Sequence, residues 1–294
     1  NIKLLIKFMF TVKKISFLKT ILLLKKIVNS NYYASFAVDG KSFSNLCNFL
    51  INAKYKLGLV YNYKIFNFWF SKPNFIYKYF VFDKYETFTS KKNLTKIEHL
   101  PTKLLNLANY FKLNLKSKSN YYFNATINDK KKFKKFYTKF VKKKYILIHF
   151  DEKWVDINSI NHKLFFNLLK LQKKIKKKIL ITTFKNQNGY FLNLKKKILK
   201  NKYNKDFLLV ENSNLLFFER LINHSICSIS CHSGFLVQIA GSNSCNLIDI
   251  IHRNDYNWYS SWKPKNTKHK FIFKSNINDI FNDIEIALKS YINV

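Results

Sequence analysis

Short apolar runs alternate with longer segments of helical spacing throughout the second half of the chain. A short apolar run between polar residues is typical of a buried strand, and apolar residues at every third or fourth position are typical of a helix packed on one face. The pattern predicts strands at 145–150, 178–184, 206–210, 225–231 and 246–251 and helices at 157–175, 191–199, 215–222, 235–241 and 276–291. This alternation predicts a parallel α/β sheet with helices on both faces.

The first half shows the same alternation less regularly. It predicts a lysine-studded helix at 10–28, strands at 33–38 and 55–60 and helices at 43–53 and 94–111, with no assignment for the aromatic stretch 66–82. The lysine-rich residues 126–144 are predicted to link an α/β domain at 1–125 to a second at 145–294. We therefore expect two Rossmann-like domains, with the final apolar helix crossing back toward the first.

The net charge of +37 would ordinarily indicate a nucleic-acid partner. Only Arg220 and Arg253 among the 53 basic residues are arginine, however, and arginine is the residue that grips phosphates and bases through paired hydrogen bonds. Lysine, asparagine, isoleucine, phenylalanine and tyrosine are abundant together, as in proteins encoded by AT-rich DNA. Compositional drift and an anionic partner surface both stay open as the origin of the charge. Either origin favours adhesion to anionic membranes at low salt.

Several classes of protein are disfavoured by what the sequence lacks. It has no apolar run of about 20 residues that could span a bilayer, and no signal peptide is expected. Four cysteines are too few for a disulfide framework, and Cys227 and Cys231 lie in a predicted strand, so we expect buried free thiols and no metal. The glycine-rich and histidine motifs of dehydrogenases, P-loop enzymes, α/β-hydrolases and zincins are missing. No cofactor is expected.

Polar groups follow three of the predicted strands, where ligands of open parallel sheets bind. His232, Ser233 and Gly234 stand between a strand and a helix, where a glycine permits a tight turn and the helix amino terminus favours a phosphate. An ordinary strand–helix turn capped by His232 is the equal alternative. Asp151–Trp154 follow the first strand of the same half and could bind an anion through Lys153 or form a solvated charged turn.

The third group lies in the first half. Asp39 could accept a hydrogen bond from a sugar hydroxyl, and Lys41 and Ser42 could meet a phosphate or an acidic sugar. The alternative is that Ser42 only caps the next helix. The motif Trp258–Trp262 could stack on a base or sugar, or form a flap over the sheet edge.

In this order, the groups resemble glycosyltransferase family 9, the heptosyltransferase-like enzymes of lipopolysaccharide assembly, which have the GT-B fold. The resemblance rests on Asp151–Trp154, where that family has a lysine-containing loop, and on His232–Ala240, where it has Asp-Ser/Thr-Gly-x-x-His-x-x-Ala. Residues 36–42 and 54–60 are similar to the family's acceptor domain.

The sequence departs from the family at three places. His232 replaces the usual aspartate and Val237 the motif histidine. The family's catalytic aspartate follows the first strand of the amino-terminal domain, and no such strand and loop is found before residue 30. The first domain is therefore expected to be incomplete through truncation, or the chain to have lost catalysis, and no catalytic residue is assigned.

The resemblance implies transfer of a heptose-like sugar from a nucleotide-sugar donor to a lipopolysaccharide-type or other glycan acceptor. It places the donor at Lys153, His232, Ser233 and Gly234, and the acceptor near Asp39, Lys41 and Ser42. It also implies a cytoplasmic location, with peripheral contact with the anionic inner face of the inner membrane and no specific nucleic acid. The alternative is a basic structural or RNA-associated protein on a decayed GT-B fold. The scarcity of arginine weighs against that alternative, and the lost motif residues weigh for it.

Overall fold

The chain forms two compact units, Asn1–Ser117 with Ser260–Trp262 and Lys118–Tyr259 with Lys263–Val294. The structure is a computed structural model. The residues that it describes are 26, 28–39, 42–62, 77–89, 91, 94, 96–111, 131, 133–135, 144–185, 188–200, 206–243, 245–264 and 267–292.

The first unit contains a parallel three-stranded sheet. Its elements are β1 (Tyr32–Ala37), α1 (Ser42–Leu50), β2 (Ala53–Asn62), β3 (Lys84–Thr89) and α2 (Leu100–Ala108), with a π-helical turn at Tyr77–Val81 and a 3-10 turn at Asn109–Phe111. The strand order is β1-β2-β3, with β2 in the centre. Buried Asn48 ties α1 to the sheet, because it accepts from Ser35 Oγ at 2.6 Å and donates to the Leu57 carbonyl at 2.9 Å.

A close contact within this unit requires a glycine. Ala37, Val60, Tyr77 and Phe82 form an apolar core cluster there. A Cβ atom added to Gly58 in β2 would lie 2.3 Å from Cζ of Phe82. A glycine at this position therefore lets the end of the Phe82 ring approach β2 closely.

The second unit contains a parallel six-stranded sheet. Its elements are β4 (Tyr145–His149), α3 (Ile160–Ile175), β5 (Ile179–Thr183), α4 (Gly189–Lys200), β6 (Phe207–Glu211), α5 (Leu215–Asn223), β7 (Ser225–Ser230), α6 (Gly234–Ser242), β8 (Asn246–Ile251), α7 (Tyr256–Ser261), β9 (His269–Phe273) and α8 (Ile277–Ile292), with 3-10 turns at Glu152–Asp156 and Arg253–Asp255. The last two residues of α7, Ser260 and Ser261, belong to the first unit. The strand order is β6-β5-β4-β7-β8-β9. Every residue of β4 and β5 is buried, as expected for apolar strands covered on both faces.

Two apolar layers cover this sheet. One contains the buried stripes of α3, α4 and α8, including Leu168, Phe191 and Ile284. The other contains those of α5 and α6, including Phe218 and Leu236. Buried Phe133, from the stretch predicted to be a linker, packs in the second layer.

The expected fold class is confirmed, since both sheets are parallel and each is part of an α/β unit. The five strands predicted in the second half are present, and β8 has the predicted bounds. The expectation that the last helix crosses back toward the first domain stays a prediction. α8 packs on α3 and on the second sheet, because its apolar stripe completes the layer that α3 begins.

Three elements were not predicted, namely β3, α7 and β9. Most of the helix predicted at 10–28 lies outside the described residues, as does most of 126–144. Among the helices that the structure describes, none combines the length and the apolar character that crossing a bilayer requires.

Candidate functional site

The second sheet reverses its strand order between β4 and β7. From β4 the chain builds outward through β5 and β6, and from β7 it builds in the other direction through β8 and β9. The loops after β4 and β7 therefore diverge and leave a crevice at the carboxyl ends of these two strands, which is where open α/β sheets bind their ligands.

The loop after β4 is held in place by local hydrogen bonds. Asp151 caps the 3-10 turn Glu152–Asp156, where its carboxylate accepts from the Lys153 backbone amide at 3.1 Å. The buried Trp154 ring donates from Nε1 to the His149 carbonyl at 3.0 Å. The hydroxyl of Tyr190 donates to the Asp151 carbonyl. The position of Lys153 is thus fixed from both sides.

Lys153 joins the two predicted groups of the second half. Its ammonium donates to the carbonyl oxygen of His232 at 2.7 Å, which brings the loop after β4 against the loop after β7. Lys274 supports it from below, donating to the Lys153 carbonyl at 2.7 Å and lying 3.2 Å from an Asp156 carboxylate oxygen. The Lys274 ammonium therefore holds the loop that carries Lys153.

The tight turn after β7 is made by His232 rather than by Gly234. His232 has φ 51°, in the left-handed region that non-glycine residues seldom occupy, although histidine tolerates it better than most. Gly234 does not have such a backbone angle, and a Cβ atom added to it would meet nothing within 4 Å. Gly234 was expected to permit the tight turn, but the residue in the left-handed conformation is His232. What Gly234 provides is open, exposed space at the start of α6.

The amino terminus of α6 opens into this space. Ser233 is the N-cap residue, but its side chain makes no capping hydrogen bond, and its backbone amide donates to Ser230 Oγ at 3.2 Å. The first amides of a helix have no partner within the helix, and the helix dipole adds positive potential there. The Ser233 hydroxyl and the first turn of α6 are therefore suited to an anion beside Lys153.

A buried carboxylate lies behind His232. Asp249, in the middle of β8, is fully buried, and its Oδ2 is 2.6 Å from His232 Nδ1 and 3.6 Å from His269 Nε2. The His232 ring packs against the Tyr259 ring, with ring centroids 3.6 Å apart. Asp249, His269 and Lys274 were not predicted from the sequence, whereas Tyr259 belongs to the motif Trp258–Trp262 that was predicted to stack or to form a flap. An aspartate within an apolar strand was the available signal, because an uncompensated buried charge is very unfavourable.

The pKa values of two carboxyl groups and one imidazole near the crevice are shifted, each for a different reason. Burial alone would raise the pKa of Asp249, but the two imidazoles lower it overall, so the carboxylate is ionised at neutral pH. Burial raises the pKa of Asp151 to about 6, against the opposing effect of Lys153. Burial, followed by the charge of Lys153, lowers the pKa of His149 to about 4, so this imidazole is neutral at pH 7.

The group predicted in the first unit is only partly visible. Asp39 follows β1 and is half-buried, and α1 begins at Ser42. Lys41 and the side chain of Ser42 lie outside the described residues. Within the described residues, no three histidine, cysteine or acidic side chains form a metal-binding cluster. Cys227 and Cys231 are buried free thiols.

A basic cavity of about 530 Å³ lies at the amino ends of the strands of the second sheet. It is lined by Lys144, Lys177 and Lys268, which precede β4, β5 and β9, together with asparagine side chains. Lys153 and His232 lie at the carboxyl ends of the strands. The cavity is therefore separate from the crevice.

Together the two parallel sheets, their helices and the crevice define a GT-B-type fold of Rossmann-like units. Solved structures with this fold include the glycosyl transferase family 9 protein from Veillonella parvula, with a TM-score of 0.59, 10% identity and coverage of 94% of this chain and 72% of the other. The ADP-heptose lps heptosyltransferase II of E. coli is similar with a TM-score of 0.58 and 10% identity, over 92% of this chain and 78% of the other.

The same fold also occurs in a protein of another activity. A Listeria monocytogenes protein described as a UDP-N-acetylglucosamine 2-epimerase is similar with a TM-score of 0.51 and 11% identity, over 93% of this chain and 72% of the other. No protein-family model matches the sequence, and no curated protein is significantly similar to it in sequence. The resemblance to glycosyltransferase family 9 is thus confirmed for the fold.

Proposed function

We propose that the chain is a glycosyltransferase that binds a nucleotide-sugar donor at the crevice between β4 and β7. The observation that carries this proposal is the meeting of Lys153 with the turn that begins α6, joined by the 2.7 Å hydrogen bond to His232. An ammonium group, the amino terminus of α6 and the Ser233 hydroxyl, which makes no capping hydrogen bond in the described part of the chain, suit a diphosphate.

The chemistry proposed is the attack of an acceptor hydroxyl on the anomeric carbon of the donor sugar. The bond between that carbon and the diphosphate oxygen breaks, and the diphosphate leaves with the electron pair. Lys153, Ser233 and the amides at Gly234 would stabilise the charge that develops on the leaving group. The acceptor hydroxyl must lose its proton to a base, for which we assign no residue. Asp39, Lys41 and Ser42 are the proposed acceptor-side residues.

The test blocks the open space at Gly234. A Gly234→Val substitution places a branched side chain where the structure has no neighbour within 4 Å, so folding should be retained while a diphosphate is excluded. Gly189→Val is the matched control, because Gly189 also begins a helix and also has no neighbour within 4 Å. We expect calorimetry with ADP and UDP to show binding to the wild type and the control but not to Gly234→Val. Equal binding to all three proteins would refute the placement of the donor.

The substrates proposed are a heptose-like donor sugar and a lipopolysaccharide-type or other glycan acceptor. The solved structures support this choice through the ADP-heptose lps heptosyltransferase II of E. coli. The donor and the acceptor can be identified by measuring the release of nucleoside diphosphate from a panel of ADP- and UDP-sugars, with and without glycan acceptors. Turnover of the donor alone, with inversion at sugar C2, would instead indicate an epimerase.

We also propose a cytoplasmic enzyme in peripheral contact with an anionic membrane. The net charge of +37 supports that contact, and it predicts sedimentation with anionic vesicles that falls as salt is raised. Binding to RNA is expected to be non-specific and to fall with salt in the same way. A sequence-selective RNA complex that persists at high salt would favour the basic RNA-associated protein instead.

A further inference from the structure

The basic cavity extends across the amino ends of five neighbouring strands. In the spatial order β5, β4, β7, β8 and β9, the residues that line it at or just before the start of each strand are Lys177, Lys144, Ser225, Asn246 and Lys268. Neighbouring strands lie about 4.8 Å apart, so the five strand starts span about 19 Å. A volume of about 530 Å³ spread over that length suits an extended ligand better than a compact one such as a single phosphate ion.

The lysines give the cavity a surplus of positive charge. Among the residues that the structure describes, no acidic side chain pairs with the ammonium groups of Lys144, Lys177 and Lys268. The helices α5, α6 and α8 also end at this cavity, and the carboxyl end of a helix carries about half a negative charge. Three ammonium groups exceed the three helix ends by about one and a half charges. The lysines therefore do more than balance the helix dipoles.

A nearby carboxylate is separated from the cavity by an asparagine. Glu219 on α5 is buried, and its Oε1 accepts from Asn223 Nδ2 at 2.9 Å. Its Oε2 lies 3.7 Å from Nε of Arg220, which offsets its charge. Because Asn223 rather than Glu219 lines the cavity, the positive charge of the lysines is left for a ligand.

Amide oxygens lie in the same cavity as the ammonium groups. Asn246 donates from Nδ2 to the Ile226 carbonyl at 2.9 Å, and Asn243 donates from Nδ2 to the Ile239 carbonyl at 3.1 Å. The described part of the chain offers no donor to the Oδ1 atom of either residue. An amide oxygen accepts hydrogen bonds from hydroxyl groups, and an ammonium group donates to anions. The two kinds of group together suit a ligand that carries both hydroxyls and negative charges.

We propose that the basic cavity is a second binding site of this chain, which takes an extended carbohydrate with several anionic groups. The lysines bind the carboxylates or phosphates of that chain, and the asparagine oxygens accept from its sugar hydroxyls. The site does not depend on the proposed function, because it lies at the opposite ends of the strands from Lys153 and His232.

The lining of the cavity favours a carbohydrate over a nucleic acid. Single-stranded nucleic acids are bound through aromatic side chains on which their bases stack. The aromatic residue of this cavity is Tyr291, which is buried and donates from its hydroxyl to the Lys268 carbonyl at 3.1 Å. The described residues that line the cavity also include no arginine, the residue that grips phosphates through paired hydrogen bonds.

The experiment compares probes that differ in one property at a time. Trigalacturonic acid and a maltotriose phosphorylated on each ring are extended anionic carbohydrates, maltotriose is a neutral chain of the same length, and citrate is a compact anion. In calorimetry at physiological salt, we expect at least one of the two anionic trisaccharides to bind more tightly than maltotriose and citrate. Equal binding of citrate or of maltotriose would overturn the proposal. Tighter binding of a uridine trinucleotide than of either anionic trisaccharide would overturn the choice of a carbohydrate.

A triple variant removes the charge of the cavity and keeps most of its volume. In Lys144→Met/Lys177→Met/Lys268→Met, three exposed ion pairs to the ligand are lost, each of which contributes about threefold in affinity. We therefore expect the affinity for the anionic trisaccharide that binds to fall about 30-fold. Unchanged affinity in a folded triple variant would overturn the proposal.

The matched control removes the same charge elsewhere in the second unit. Lys163, Lys170 and Lys196 are exposed on α3 and α4. We expect Lys163→Met/Lys170→Met/Lys196→Met to bind the anionic trisaccharide as the wild type does. An equal loss of affinity in both triple variants would show an effect of overall charge, and the basic cavity would not be the site.

Chemical footprinting locates the ligand on the wild type, so it decides the question if the triple variant fails to fold. The saturating anionic trisaccharide should slow the acetylation of Lys144, Lys177 and Lys268, followed by mass spectrometry, and leave that of Lys170 unchanged. Protection of Lys153 in place of these three lysines would put the anion in the crevice and overturn the inference.

Discussion

Replacing Lys153 by methionine removes one ammonium group from the crevice and keeps most of the side-chain volume. In the free protein that group donates to the neutral carbonyl of His232 at 2.7 Å from a partly exposed position. Its loss should therefore lower the free energy of unfolding by about 1 kcal/mol. In the complex the same group would meet a diphosphate, and a hydrogen bond to a charged group contributes about 1.5–3 kcal/mol. Nucleotide affinity should fall about 10- to 150-fold.

The assay is calorimetry with ADP and UDP on Lys153→Met, with Lys170→Met as the matched control. Lys170 lies exposed on α3, so its loss changes the net charge equally but leaves the crevice intact. We expect the control to bind as the wild type does. If both variants lose affinity to the same extent, the effect comes from overall charge, and the local reasoning is refuted. An unchanged Lys153→Met would remove Lys153 from the site.

Two further predictions concern stability. Gly58→Ala should destabilise the first unit by about 1–3 kcal/mol, because its Cβ would lie 2.3 Å from the Phe82 ring. In urea unfolding, the double variant Gly58→Ala/Phe82→Leu should lose less stability than the two single variants lose together, and full additivity would contradict the clash. The folded-state pKa of Asp151, about 6, lies above its ordinary value of 3.8, so its contribution to stability is lost as pH rises from about 4 to about 6 and stays lost above. The stability of the wild type relative to Asp151→Asn should fall over that range, and a constant difference would show that Asp151 is not desolvated.

The part of the fold that the sequence predicts is the part with fully buried strands. β4 and β5 are continuous apolar runs, and continuous runs are what a sheet covered on both faces requires. β3 and β9 were missed because they lie at sheet edges, where polar residues such as Lys84 and Lys270 are tolerated within a strand. Their strand character comes from pairing with β2 and β8, which no local pattern records.

The part of the candidate site that could be predicted from the sequence consists of the groups that directly follow apolar strands. Lys153 and His232 were found because both lie just after apolar runs, and the sheet topology then brings them together. Asp249 was not predicted, because its role depends on its contact with His232 in the loop after β7, and no local sequence pattern shows that contact. Gly234 was expected to permit the tight turn because of its residue type. The left-handed residue is instead His232, which contacts Asp249, Tyr259 and Lys153.

The pairing of β4 with β7 sets the order in which the second unit can assemble. Tyr145 pairs with Ser225, so the two strands that flank the crevice are distant along the chain, although β5 and β6 can add to β4 early. Long-range pairing slows folding, and until β7 is available a nascent chain presents an apolar strand edge open to other chains. The crevice therefore depends on the long-range pairing of β4 with β7, which joins the two halves of the sheet.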